Sequence, residues 1–273
     1  METGAAMTVV EGLVLGIVQG LTEFLPVSSS GHLVLVRNVL DVGAVPLLFD
    51  VLLHVATLLV IVFHYRLKIW SLLQTAGRFV SRKSREEDTE ELRFILVIII
   101  ATILTVIVAL LLRKTNLDGS STFVVSILLL ITAVLLASTT IIERFIRPRG
   151  SYTIGQGIIT GIAQGFGTLA GISRSGITIT SSLWSGMKRE QAGEYAFILS
   201  IPAVLGALVL SLAEEGVGTI HVGLLPLVVG CIAACITGIV ALKLLLWMVK
   251  HAKLWYFSLY LGVVGLFGLI ITV

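Results

Sequence analysis

The chain has 273 residues, of which 56% are apolar and only 13% are charged, and its mean hydropathy is +1.05. A soluble domain carries about 25% charged residues, so a water-soluble globular protein is excluded. The net charge of +3 is not a nucleic-acid signal, because Lys and Arg of membrane proteins gather in cytoplasmic loops.

The apolar residues form long continuous blocks. A transmembrane barrel would alternate instead, and in lipid the other way to pair every backbone donor is the helix. The expected class is therefore an all-α polytopic membrane protein in one integral membrane domain, residues 1–273. No basic n-region or cleavage signature precedes the first apolar run, so no signal peptide is expected.

In chain order, Val9–Leu25 reads as a helix broken at Pro26–Ser30 and resumed over Gly31–Leu40. Leu47–Phe63 is a span, followed by a polar stretch from Tyr65 to Glu91. Leu92–Leu112 and Phe123–Ile142 are spans, and Arg144–Tyr152 is a basic connection. A second broken segment follows, Ile154–Leu169 and Gly176–Met187 about a break at Ala170–Ser175. Spans over Gln191–Leu212, Val222–Val249 and Leu254–Val273 complete the chain. The uninterrupted blocks are about long enough to cross a hydrocarbon core of roughly 30 Å. Cys231 and Cys235 share a helix face without further ligands, which makes them packing residues.

A repeat organises these elements. Shifted by 145 positions, Gly16-Ile17-x-Gln19-Gly20 falls on Gly161-Ile162-x-Gln164-Gly165, and Val27-Ser28-Ser29-Ser30-Gly31 on Ile172-Ser173-Arg174-Ser175-Gly176. The halves are 1–145 and 146–273, each a broken segment and three spans. Three is odd, so the halves have opposite orientations, the inverted-repeat design in which broken helices meet near the midplane. The broken segments are too short to cross twice, so they read as two re-entrant helical hairpins beside six transmembrane helices. Charge agrees. Arg66, Lys68, Arg78, Arg82, Lys83, Arg85, Arg144, Arg147, Arg149, Lys188, Arg189, Lys250 and Lys253 fall on one side; Arg113, Lys114 and Arg37 fall on the other. The first group is cytoplasmic, and both termini and the first hairpin then face outward.

The first hairpin places Gln19 and Glu23 four apart on one helix face. A carboxylate at this depth points to function, unless a Ser or Arg pairs it for structure alone. Ser28, Ser29 and Ser30 open the second half-helix, where free N–H groups and the dipole favour an anion; the same serines also suit plain caps and turns. His32, three residues after Ser29, is spaced to take its hydroxyl proton. The second hairpin carries Ser173, Arg174 and Ser175, with Thr178 one turn on. A guanidinium fork matches two phosphate oxygens; a structural pair of Arg174 with Glu23 competes with that reading. His54, His64, His221 and His251 read as structural or interfacial.

At these motifs the chain resembles the undecaprenyl-diphosphatases of the bacitracin-resistance type. Gln19-Gly-Leu-Thr-Glu23-Phe-Leu-Pro-Val-Ser-Ser-Ser-Gly-His32 fits the family's Glu/Gln-x3-Glu motif and its serine-glycine-histidine, and Gly171-Ile-Ser-Arg-Ser-Gly-Ile-Thr178 its Ser-Arg-Ser-x2-Thr motif. The resemblance implies hydrolysis of undecaprenyl or another polyprenyl diphosphate to the monophosphate and phosphate in the cell membrane, at a site open to the outer face, and with it bacitracin resistance. It also implies a divalent cation (Mg or Ca) at Glu23 and Gln19, and a homodimer. It makes Glu23, Ser29, His32 and Arg174 catalytic, and Ser28, Ser30, Ser173, Ser175 and Thr178 substrate-binding. Two departures stand out. Gln19 is neutral where many relatives have Glu, a loss Asp50 can offset unless it serves only as a helix start. Ala170 replaces a Pro, which predicts a softer second kink. The rival class is a lipid flippase or transporter, for which Ser29, His32 and Glu23 together are not required.

Overall fold

The computed structural model describes residues 7–42, 45–115, 121–142, 145–148, 150–215, 222–251 and 253–272. Arg144, Arg149 and His221 lie outside the described residues. Eleven α-helices and no strand occur among the described residues. They are α1 (Val9–Phe24), α2 (Ser29–Leu40), α3 (Leu47–His64), α4 (Arg66–Val80), α5 (Thr89–Leu112), α6 (Thr122–Ile142), α7 (Ile154–Phe166), α8 (Arg174–Trp184), α9 (Arg189–Glu215), α10 (Leu224–Lys250) and α11 (Tyr256–Ile270). Helices α3, α5, α6, α9 and α10 are long and apolar enough to cross a membrane; α11 is apolar but shorter.

The local chemistry explains the helix limits. Thr8 and Glu11 form a capping box at the start of α1, and Thr153 and Gln156 form the same box at α7, 145 positions on. Each box satisfies two of the free N–H groups at a helix start. Pro26 cannot continue α1, so the chain turns and restarts at Ser29. The second break, between Phe166 and Arg174, is longer than the first. Gly171 sits at φ 103, and a Cβ there would lie 2.5 Å from the Val125 carbonyl oxygen. Without proline, a left-handed glycine pressed against α6 makes the turn. Helix α4 was not foreseen: the polar stretch after Tyr65 coils because Lys68, Ser71 and Thr75 all face the Glu91 carboxylate.

Packing interleaves the halves. α1 lies on α10 and α7 on α5, while α3 pairs with α9 and α6 with α11. Glycines set the first two contacts. Gly12, Gly16 and Gly20 press on Pro226, Gly230 and Ala234, and Gly157, Gly161 and Gly165 press on Val97, Ala101 and Val108. A side chain at Gly16 would collide with the Gly230 backbone, and one at Gly161 with Ala101. Small residues at such crossings let backbones approach closely.

Candidate active site

Two helix starts converge on one cavity. Ser28 caps α2, its Oγ accepting from Gly31 N at 3.3 Å; Ser173 caps α8, its Oγ accepting from Gly176 N at 3.0 Å. The two loops are tied directly, because Gly171 N also donates to Ser28 Oγ at 3.1 Å. Ser28 takes φ 67 to do this, a left-handed conformation that costs a non-glycine residue on the order of 1–3 kcal/mol.

Between the loops lies a cavity of about 260 Å³. Its polar wall holds Glu23, Ser28, Ser29, Ser30, Ser173, Arg174 and Ser175. Helices α3 and α9 add an apolar side through Leu47, Val51, Ala203, Val204 and Ala207.

Glu23 is the hub, and only 8% of it is exposed. Ser29 Oγ donates to its Oε2 at 2.6 Å, and Gln19 Nε2 donates to the same oxygen at 3.0 Å. Arg174 donates to Oε1, joining the two hairpins by an ion pair. The competing structural pair of Arg174 with Glu23 is thus formed, and both residues still face the cavity. Breaking such a buried pair from one side costs about 3–5 kcal/mol.

Three residues differ from their expected contacts. His32 does not reach Ser29. Its Nδ1 lies 2.8 Å from the Ser28 carbonyl and its Nε2 2.8 Å from Tyr260 Oη, and Ser29 has turned to the nearer Glu23 carboxylate. Thr178 is off the cavity wall, because its hydroxyl donates to Gln164 Oε1 at 3.4 Å. Asp50 lies off the cavity wall in the first turn of α3, where Arg37 donates to both of its carboxylate oxygens.

Sequence reasoning gave His54 a structural or interfacial role and missed Thr132. His54 lines the cavity, with Nε2 3.3 Å from Glu23 Oε2 and Nδ1 2.8 Å from the Asp50 carbonyl. The available signal was the polar face Asp50, His54, Thr57 at helical spacing on an apolar span. Thr132 of α6 holds the second loop: its Oγ1 donates to Gly171 O at 3.0 Å and accepts from Ser173 N at 3.2 Å.

Among the described residues no group of three or more His, Cys, Asp and Glu side chains is placed to hold a metal. Gln19 Oε1, however, is buried without a hydrogen-bond partner, beside the Glu23 carboxylate. An acceptor oxygen next to a carboxylate suits a hard cation.

Known proteins resemble this chain along most of its length. Residues 12–267 match the family described as Bacitracin resistance protein BacA. An undecaprenyl-diphosphatase of Treponema denticola is 41% identical over 260 residues, covering 95% of this chain and 96% of the relative. One from Borreliella burgdorferi is 38% identical over 256 residues, with 93% and 94% covered. One from Carboxydothermus hydrogenoformans is 34% identical over 259 residues, again with 93% and 94% covered. The glutamate, serine and arginine that meet in the cavity thus sit in a chain matched nearly end to end, and this chain belongs to the bacitracin resistance protein BacA family.

Proposed function

We propose that the protein hydrolyses undecaprenyl diphosphate to the monophosphate and phosphate, and through this reaction contributes to bacitracin resistance. The observation that carries the reading is the Ser29–Glu23–Arg174 cluster at two facing helix starts: a hydroxyl on a carboxylate, beside a guanidinium. It gives the activity of the family's named relatives a physical basis.

The diphosphate is held by Arg174, by the hydroxyls of Ser28, Ser30, Ser173 and Ser175, and by first-turn amides of α2 and α8, which suit an anion. Thr178 supports this clamp from behind through Gln164. Ser29 Oγ attacks the terminal phosphorus as Glu23 Oε2 takes its proton, and the prenyl monophosphate leaves with the electrons of the bridging bond. Water then displaces Ser29 from the phosphoryl group. Catalysis of this kind rests on positioning and charge stabilisation. Glu23 and the free oxygen of Gln19 would hold a divalent cation, Mg or Ca, which supplies positive charge to the phosphate oxygens. The start of the prenyl chain runs along the apolar wall of α3 and α9.

The topology proposed is an inverted repeat, 1–145 and 146–273, with six spans including α11 and two re-entrant hairpins. Pairings between helix ends support it. Arg113 after α5 pairs with Glu214 at the end of α9, so those ends share a side. Asn38 near the end of α2 meets Thr122 at the start of α6, and Gly12 near the start of α1 meets Pro226 near the start of α10. In the second half, Gln156 near the start of α7 donates to the Ser185 carbonyl just after α8. These pairings favour hairpins that each enter and leave on one side. The basic segments make the α4 side cytoplasmic, so both termini and the first hairpin face outward. The resemblance further implies a homodimer in the cell membrane.

The deciding experiment is phosphate release by purified protein from prenyl diphosphates of several lengths, with and without a chelator. Release from undecaprenyl diphosphate that the chelator abolishes is expected. No release with any substrate would overturn the phosphatase reading in favour of lipid transport.

A further inference from the structure

We infer that Tyr260 is a positioning residue for this reaction: acting through His32, it holds the Ser28 turn and so the relative placement of the two serine loops. The inference rests on the phosphatase reading above.

Tyr260 lies on α11, far from the first hairpin in sequence. Its hydroxyl is 2.8 Å from His32 Nε2, and the two rings are nearly parallel, 8° apart with centroids 5.6 Å from each other. The other ring nitrogen, Nδ1, is 2.8 Å from the Ser28 carbonyl oxygen. A carbonyl only accepts, so Nδ1 carries the hydrogen and Nε2 offers its lone pair to the tyrosine hydroxyl. Both nitrogens are then occupied, and neither faces Ser29 or the cavity wall. The imidazole is placed as a strut rather than as a base.

What the strut holds is a strained point that both loops share. Ser28 has φ 67 and its Oγ accepts from Gly31 N and Gly171 N. Gly171 lies in the turn that leads into Ser173 and Arg174. A line of contacts therefore runs from Tyr260 through His32 and Ser28 to the loop that presents the guanidinium. Tyr260 is 46% exposed, yet its hydroxyl is turned to the buried histidine. On a largely apolar helix that hydroxyl has few other places to find a partner.

The test uses full-length purified protein and three variants. Tyr260→Phe removes only the hydroxyl. His32→Asn keeps an N–H donor able to reach the Ser28 carbonyl, and His32→Ala keeps none. Small misplacements of reacting groups are costly, so kcat of Tyr260→Phe should fall about tenfold with KM nearly unchanged. His32→Asn should retain at least about tenfold more kcat than His32→Ala, a rescue a proton-transferring imidazole would not allow. Binding of a non-hydrolysable prenyl methylenediphosphonate and the melting temperature accompany each rate. Wild-type kcat in Tyr260→Phe would overturn the role of the tyrosine. His32→Asn as inactive as His32→Ala would overturn the strut. Loss of analogue binding or melting in parallel with kcat in Tyr260→Phe would assign the tyrosine to stability and overturn positioning. A wild-type protein that releases no phosphate overturns the phosphatase reading instead, whatever the variants do.

Discussion

At the scale of single residues, chemistry concentrates on Glu23. Its carboxylate receives Ser29, Gln19 and Arg174 at once. Replacing it with Gln should lower kcat by about 10²-fold or more through loss of the proton acceptor. It should also lower the melting temperature, because Arg174 then stays partly buried without its counter-charge; phosphate release and thermal melts read the two effects separately. Ser29→Ala should cost at least about 10³-fold in kcat if Oγ is the nucleophile, and near-normal turnover would hand that role to water. Glu23, Ser29 and Arg174 were legible because a carboxylate, a serine run and a guanidinium interrupt apolar sequence. His32 misled because spacing along a helix gives reach but not competition: the Ser28 carbonyl and Tyr260, 228 positions away, claim both nitrogens. Thr132 was invisible for another reason. It bonds its own helix at Leu128 O as ordinary membrane threonines do, and nothing local marks its second contact with Gly171.

At the scale of elements, the sequence placed the apolar helices and both breaks within a few residues, since apolar blocks and glycine-proline interruptions are local. The polar stretch after Tyr65 was not assigned a helix because its stabilising partners, Glu91 and Asp88, lie on the far side of a turn. The glycines of α1 and α7 offer a contrast within one residue type. Gly161→Val and Gly16→Val each drive a branched side chain into a neighbouring backbone, and overpacking of this kind costs about 1–3 kcal/mol or more. Both should lower the melting temperature and the yield of monodisperse protein in size-exclusion chromatography. Gly155, also on α7, has open space around it. Gly155→Ala should leave melting unchanged or raise it, since alanine is favoured in a helix by about 1 kcal/mol. Equal damage at Gly155 and Gly161 would mean that the contact with α5 is not what requires glycine.

At the scale of the whole molecule, the proposed orientation has a direct readout. With Cys231 and Cys235 replaced, single cysteines at Lys83 and Lys188 should react with an impermeant maleimide only in inside-out vesicles, and one at Lys114 only in right-side-out vesicles. Labelling of Lys83 and Lys114 from the same side would sink the proposed topology. The 145-residue repeat was readable because the same motifs and caps recur at one fixed offset. The interleaving was not, because which helix lies against which is decided by surfaces that no short window of sequence contains. That interleaving bears on how the protein is made. Helix α1 is translated early but its partner α10 begins only at Leu224, so the first hairpin must wait for most of the chain to be synthesised. Until Arg174 emerges, Glu23 has no guanidinium to meet. The nascent protein therefore carries that carboxylate through insertion without its guanidinium partner, and a chain stopped before α10 should leave its first hairpin open to proteases and to the membrane's quality-control machinery.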